Sequence, residues 1–218
     1  EDWIKNGRQG AFEVNNFTSP AFVARVNYHG VKGLRVGASF YYNQTAKNGT
    51  KPWRNTGYKF PVTIVTGDLQ YKGFNNNLIV RGNAVYGNLG ASGALTTINN
   101  SSSAASGYPN TTVAQNAVSY GGEAGYNIGS FFHSKAPRIY PFIRYEYYNP
   151  MEKTEANTGL LADKRFQVSA VTAGVNYYAL PNLVIKADYT HRSIGGGKYN
   201  DENLVSVGIA YIGWFIKK

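Results

Sequence analysis

Cysteine is absent from the 218 residues and methionine occurs once. Without cysteine there is no disulfide frame and no thiolate metal site. Charge is sparse as well. Asp, Glu, Lys and Arg together make 16% of the chain, against about 25% in soluble globular proteins. That is too little to clothe the exposed faces of amphipathic helices. No run approaches the roughly 18 consecutive apolar residues that a membrane-spanning helix needs. The opening Glu1-Asp2-Trp3 lacks the basic and then apolar pattern of a signal peptide. Either a signal has been removed or the chain starts inside a longer protein.

What is present is glycine and tyrosine, 25 and 18 residues respectively, with aromatics at 15%. This balance suits strands with one apolar face and one small or polar face. The formal net charge is +10, a value that in a soluble domain points to nucleic acid. Here the Lys and Arg residues are spread along the whole chain and form no cluster, so no nucleic-acid partner is expected.

Alternation of apolar with polar residues is the main signal. Phe22, Ala24, Val26 and Tyr28 alternate with Val23, Arg25 and Asn27. Leu34, Val36, Ala38, Phe40 and Tyr42 then oppose Arg35, Gly37, Ser39, Tyr41 and Asn43. Further strands are expected over roughly 60–72, 77–88, 114–128, 138–148, 165–179, 183–192 and 204–216, giving about nine in all. Most exceed the roughly 5–6 residues usual in soluble proteins and reach the 9–11 that a tilted strand needs to cross a bilayer. Tyrosines near strand ends (Tyr28, Tyr42, Tyr71, Tyr86, Tyr126, Tyr145, Tyr147, Tyr177, Tyr189, Tyr211) fit the aromatic girdles of outer-membrane barrels.

The links alternate in length. Those at 29–33, 73–76 and 180–182 are short, and those at 44–59, 89–113, 149–164 and 193–203 are long and polar, with 129–137 between the two classes. Outer-membrane barrels put short turns in the periplasm and long loops outside. The fold class expected is therefore all-β, a transmembrane antiparallel up-and-down barrel. The loop 89–113 contains Asn99-Asn100-Ser101-Ser102-Ser103-Ala104-Ala105-Ser106-Gly107, which is too poor in apolar residues to order itself alone. It is either a mobile surface loop or a segment folded into the barrel mouth, and both stand open on sequence.

Nine strands do not close a bacterial single-chain barrel, whose strand number is even. One domain, 1–218, incomplete at its N-terminal side, is expected, with a complete ten-stranded barrel as the alternative. The run Gly7-Arg8-Gln9-Gly10-Ala11-Phe12-Glu13-Val14-Asn15-Asn16-Phe17-Thr18-Ser19-Pro20-Ala21, then Arg25, then Gly33-Leu34-Arg35-Val36-Gly37-Ala38-Ser39, resembles the phosphate-selective porin O/P-like family of outer-membrane porins, in the style of its Bacteroidetes members. The motif-like part is the region around 7–40. The resemblance implies a 16-stranded barrel about twice this length, passive diffusion of small solutes, often anions, and a homotrimer. Phosphate selectivity does not carry over, because no dense ladder of inward Arg and Lys can be placed. The final run Ser206–Phe215, with Gly213 at an expected hydrophobic position and Lys217-Lys218 after the aromatic, only partly resembles the C-terminal insertion signal of such barrels.

Enzymatic chemistry finds little support. His29, His133 and His191 lie in separate segments, with no ligand spacing for a metal, and no cofactor is expected. Gly195-Gly196-Gly197-Lys198 lacks the spacing of a phosphate loop. Asp188 and His191 are three apart on one strand and so face opposite ways. By alternation, Arg25, Arg35, Arg81, Arg144, Lys186 and Arg192 point inward with Asp68, Glu123, Glu146 and Asp188, as do Thr172 and Ser206. The expectation is a water-filled channel in the Gram-negative outer membrane, in contact with lipid and lipopolysaccharide. It would pass small hydrophilic solutes with a mild anion preference. A non-transporting barrel, acting as an adhesin or as an accessory subunit of a larger outer-membrane complex, is the alternative.

Overall fold

Long alternating runs punctuated by Gly, Asn and Pro fold as strands joined to their sequence neighbours. The computed structural model describes residues 20–45, 59–101, 112–132 and 137–211. Nine strands follow in chain order: β1 Phe22–Tyr28, β2 Leu34–Thr45, β3 Phe60–Gly73, β4 Leu78–Leu89, β5 Asn116–Tyr126, β6 Arg138–Lys153, β7 Val168–Leu180, β8 Leu183–Ile194 and β9 Asp201–Tyr211. They form one sheet in the order β1 to β9, every pair antiparallel. The up-and-down all-β architecture is thus as the alternation indicates. Residues 7–19 of the family-like run, most of the 44–59 link, His133 and the run after Tyr211 lie outside the described residues.

Several strand boundaries differ from the sequence expectation. The sixth strand continues to Lys153, and the seventh starts at Val168 because Lys164–Phe166 form a single 3-10 turn. That turn is fixed by Asp163, whose carboxylate accepts from the Arg165 backbone N–H at 2.9 Å. The Arg165 guanidinium also donates to it at 2.6 Å, and these bonds hold the Asp163 carboxyl below its ordinary range.

The three shortest links all lie at one end of the sheet, together with the longer 127–137, and the three longest lie at the other. Residues 29–33, 74–77, 127–137 and 181–182 connect strands at one end, and 46–59, 90–115, 154–167 and 195–200 connect them at the other. The 74–77 turn needs three consecutive left-handed residues, Phe74, Asn75 and Asn76, at φ 50, 56 and 66. Asparagine tolerates this region and phenylalanine does not favour it. Two neighbours hold the turn in place: the Tyr140 hydroxyl donates to the Asn76 carbonyl at 2.9 Å, and the Asn127 N–H donates to the Asn77 carbonyl at 2.8 Å.

Directly paired residues share a face, so the register sorts every side chain. One face carries Val26, Val36, Ala38, Val65, Leu69, Val80, Ala124, Ile143, Val171, Val175, Ile185, Val207 and Ile209, with tyrosines toward both ends. Many of these stand open, Val207 at 77% and Ile143 at 58%. An apolar face this exposed and this extended marks an interaction surface. The opposite face carries Arg, Asp, Glu, Asn, Gln, Ser and Thr along its middle. The strands β2 to β9 run 11 to 16 residues, enough for a tilted strand to cross a bilayer.

The link after β4 contains a helix, α1 Ser92–Ser101. Sequence left its placement open. It packs against the polar-face side of the sheet at the long-link end. Ala91, Ala94, Leu95 and Ile98 meet a cluster of buried Phe60, Val62 and Leu89, bordered by Tyr41 and Ile64. These aromatic and aliphatic groups occupy the same face as the mid-sheet charges, but further along the strands toward the long links; on β3, Ile64, Val62 and Phe60 follow Asp68 in that direction. They give the helix an apolar seat that its own sequence lacks. Its start is pinned from a second link: the Glu155 carboxylate accepts from the Gly93 N–H at 2.5 Å. On its other side, the Thr96 hydroxyl accepts from the Val113 N–H at 2.9 Å.

Candidate functional site

The polar face gathers the residues that sequence reasoning singled out as charged and inward. Register puts Arg35, Gln70, Arg81, Glu123, Arg144, Thr172 and Thr190 in one lateral row across β2 to β8. The neighbouring row holds Gly37, Asp68, Asn83, Gly121, Glu146, Ala170 and Arg192. Arg25, Lys186 and Asp188 lie on the same face. Between the two rows is a cavity of about 500 Å³, whose charged lining is Arg35, Asp68, Arg81, Glu123, Arg144 and Glu146.

The carboxylates are shared among the arginines. Arg25 binds Asp68 at 2.7 Å and Arg35 approaches the same carboxylate at 3.7 Å. Arg144 binds Glu123 at 2.5 Å, while Arg81 stands 3.5 Å from it and Glu146 lies 4.0 Å from Arg144. Nearer the long links, Arg192 binds Glu202 at 2.7 Å and donates to the Tyr148 hydroxyl at 2.8 Å. These side chains are about one-fifth to three-fifths exposed. Ion pairs of that kind contribute only about 0–1 kcal/mol each, so their main effect is on the potential over the face rather than on fold stability.

The pair between Arg25 and Asp68 spans two strands and reaches across β2 at Gly37. A Cβ at that position would meet the Arg25 guanidinium and lie 2.6 Å from the Asp68 carboxylate. Both are the ends of flexible side chains. Gly37→Val is therefore expected to separate this pair while leaving the sheet folded. Unchanged thermal unfolding, with loss of the Arg25–Asp68 contact in a structure of the variant, would verify this.

Three charged residues of the polar face escape a reading confined to strand centres. Lys72 and Arg138 sit at the short-link ends of β3 and β6, where they border a smaller cavity with Asn76, Ile79, Tyr140 and Tyr178. The Arg138 guanidinium lies 4.8 Å from the centre of the Tyr178 ring. Glu202 escapes because β9 starts at Asp201 rather than at 204. Simple parity marks all three, since Lys72 is four residues from Asp68, Arg138 six from Arg144, and Glu202 four from Ser206. Among the described residues, Lys72, Arg138 and Lys186 form no ion pair. The short-link end of the face therefore carries cations without matching carboxylates.

Thr172 has a different environment from the one parity alone suggests. It is on the polar face, but it is 6% exposed and bonded to the Thr190 hydroxyl at 2.8 Å. It is therefore not a freely replaceable position, whereas Ser206 is half-exposed. Asp188 and His191 occupy opposite faces, and His191 bonds Asn203 at 3.0 Å on the apolar side. Neither a protein-family model nor any curated protein matches the chain.

Proposed function

We propose that this chain is the wall of an outer-membrane porin, with the polar face lining water and the apolar face meeting lipid. The observation that carries the reading is the separation of faces over nine strands, eight of them 11 residues or longer. Charged residues at mid-strand all fall on one side, and large exposed aliphatics and tyrosines fall on the other. On a lipid-facing surface each midplane Arg or Lys would cost about 2–4 kcal/mol. In a hydrated lumen the same charges keep their water. The porin family resembled by residues 7–40 has this architecture.

The charge balance of the polar face adds a mild anion preference. Arg25, Arg35, Lys72, Arg81, Arg138, Arg144, Lys186 and Arg192 stand against Asp68, Glu123, Glu146, Asp188 and Glu202, eight against five. Rings of like charge and pore width set selectivity in such channels. The Debye length of about 8 Å at physiological salt keeps the effect modest. Changing Arg25, Arg81 and Arg144 together to Gln leaves five against five. Reversal potentials in a salt gradient are then expected to lose the chloride preference seen in the unaltered protein. A cation preference in the unaltered protein would contradict the assignment.

The seating of α1 over the polar face favours consideration of a second reading, a non-transporting barrel whose long links are an adhesive or docking surface. Swelling of liposomes carrying the full-length protein separates the two. The pore admits small uncharged sugars, and a closed barrel does not.

A further inference from the structure

We propose that the mid-face cavity is a subsite for short zwitterionic peptides of two or three residues. Arg35 and Arg81 would take the C-terminal carboxylate, and Glu146 the N-terminal ammonium. This rests on the pore reading and names a solute class for it. The cavity lining contains three arginines and three carboxylates, so its formal charges balance and both signs are offered to a solute. Its charges are unequal in availability. Asp68 is taken up by Arg25 at 2.7 Å and Glu123 by Arg144 at 2.5 Å. What remains is Arg35 at 3.7 Å and Arg81 at 3.5 Å from their nearest carboxylates, beyond good hydrogen-bond length. Their side chains are 51% and 58% exposed. Glu146 is 4.0 Å from Arg144 and 53% exposed.

The open cations stand on β2 and β4, and the open carboxylate stands on β6. With β5 between, β4 and β6 are separated by two strand spacings, about 10 Å. The floor between them is glycine: Gly121 lies in register between Asn83 and Glu146. A free amino acid carries both charges on one carbon, whereas the residues that would take them stand two strands apart. A peptide extends at most about 3.3–3.6 Å per residue, so two or three residues bridge the span. Gln70 and Asn83 line the same cavity and offer amide donors and acceptors to the peptide bonds.

Calorimetric titration of the refolded full-length protein in detergent with trialanine, N-acetyl-trialanine, trialanine amide and the doubly capped peptide tests this without requiring conduction. Trialanine is expected to bind severalfold more tightly than any capped form. Glu146→Gln should weaken trialanine and leave N-acetyl-trialanine unchanged. Arg81→Gln should weaken trialanine and leave trialanine amide unchanged. Equal binding of the doubly capped peptide, no binding of trialanine, or indifference to both substitutions would overturn the proposal. Peptide binding by a protein that forms no channel would count against the pore alone, and a conducting protein without this discrimination would count against the subsite alone.

Discussion

Ile143→Arg is expected to destabilise folding into lipid bilayers strongly. Ile143 sits at the middle of the apolar face of β6, 58% exposed, with Ala124 and Ala173 beside it in register. Among the described residues nothing covers it, so in a membrane its partner is acyl chain. A guanidinium there costs about 2–4 kcal/mol near the midplane and much less near the interfaces. Marginal stabilities of about 5–15 kcal/mol make that a large fraction of the total. Ile185 lies closer to the short-link end, paired with Tyr177 and Ile209, and Ile185→Arg is expected to cost less. Ser206→Arg on the polar face is the control and should fold normally. Urea titration in lipid vesicles measures all three. Equal stability of Ile143→Arg and Ser206→Arg would show that the two faces are not lipid and water.

Removing α1 is expected to raise single-channel conductance. The helix occupies the polar side at the long-link end, held by Leu95 and Ile98 against Phe60, Val62 and Leu89 and by the contact of Glu155 with the Gly93 N–H. Replacing residues 92–101 by a short Gly-Ser linker clears that space without touching a strand. Leu95→Asp is a milder form. It sets a carboxylate against an apolar cluster, where leaving it unpaired is costly, and should release the helix. Both variants should show larger and noisier conductance steps than the parent. Conductance unchanged by either would mean that α1 does not narrow the path.

Most of the fold was legible because a strand pattern repeats every two residues and needs no distant information. Nine segments, their links and the assignment of Arg81, Glu123, Arg144 and Asp188 to one face all follow from parity. Strand ends were less legible. Lys153 extends β6 and Glu202 belongs to β9, since pairing with a neighbour rather than local pattern decides where a ladder stops. The helix was hidden for a physical reason. Ser92–Ser101 is mostly Ser, Thr, Asn and Gly by sequence, and it folds on Phe60, Val62 and Leu89, which lie up to forty residues away. Likewise Thr172 follows the parity rule, yet its bond to Thr190 depends on the register of β7 with β8, which alternation does not fix. Pairing strengths within the cavity, such as Glu123 going to Arg144 at 2.5 Å rather than to Arg81 at 3.5 Å, also lie beyond what alternation encodes.

If the polar face lines a continuous aqueous path, planar-bilayer recording of the purified full-length protein will show it. The expected result is stable, ohmic open steps whose conductance scales with bulk salt and whose ion preference is weakly anionic. A protein that inserts into the bilayer, shown by protease protection of its strands, and yet stays electrically silent would contradict it.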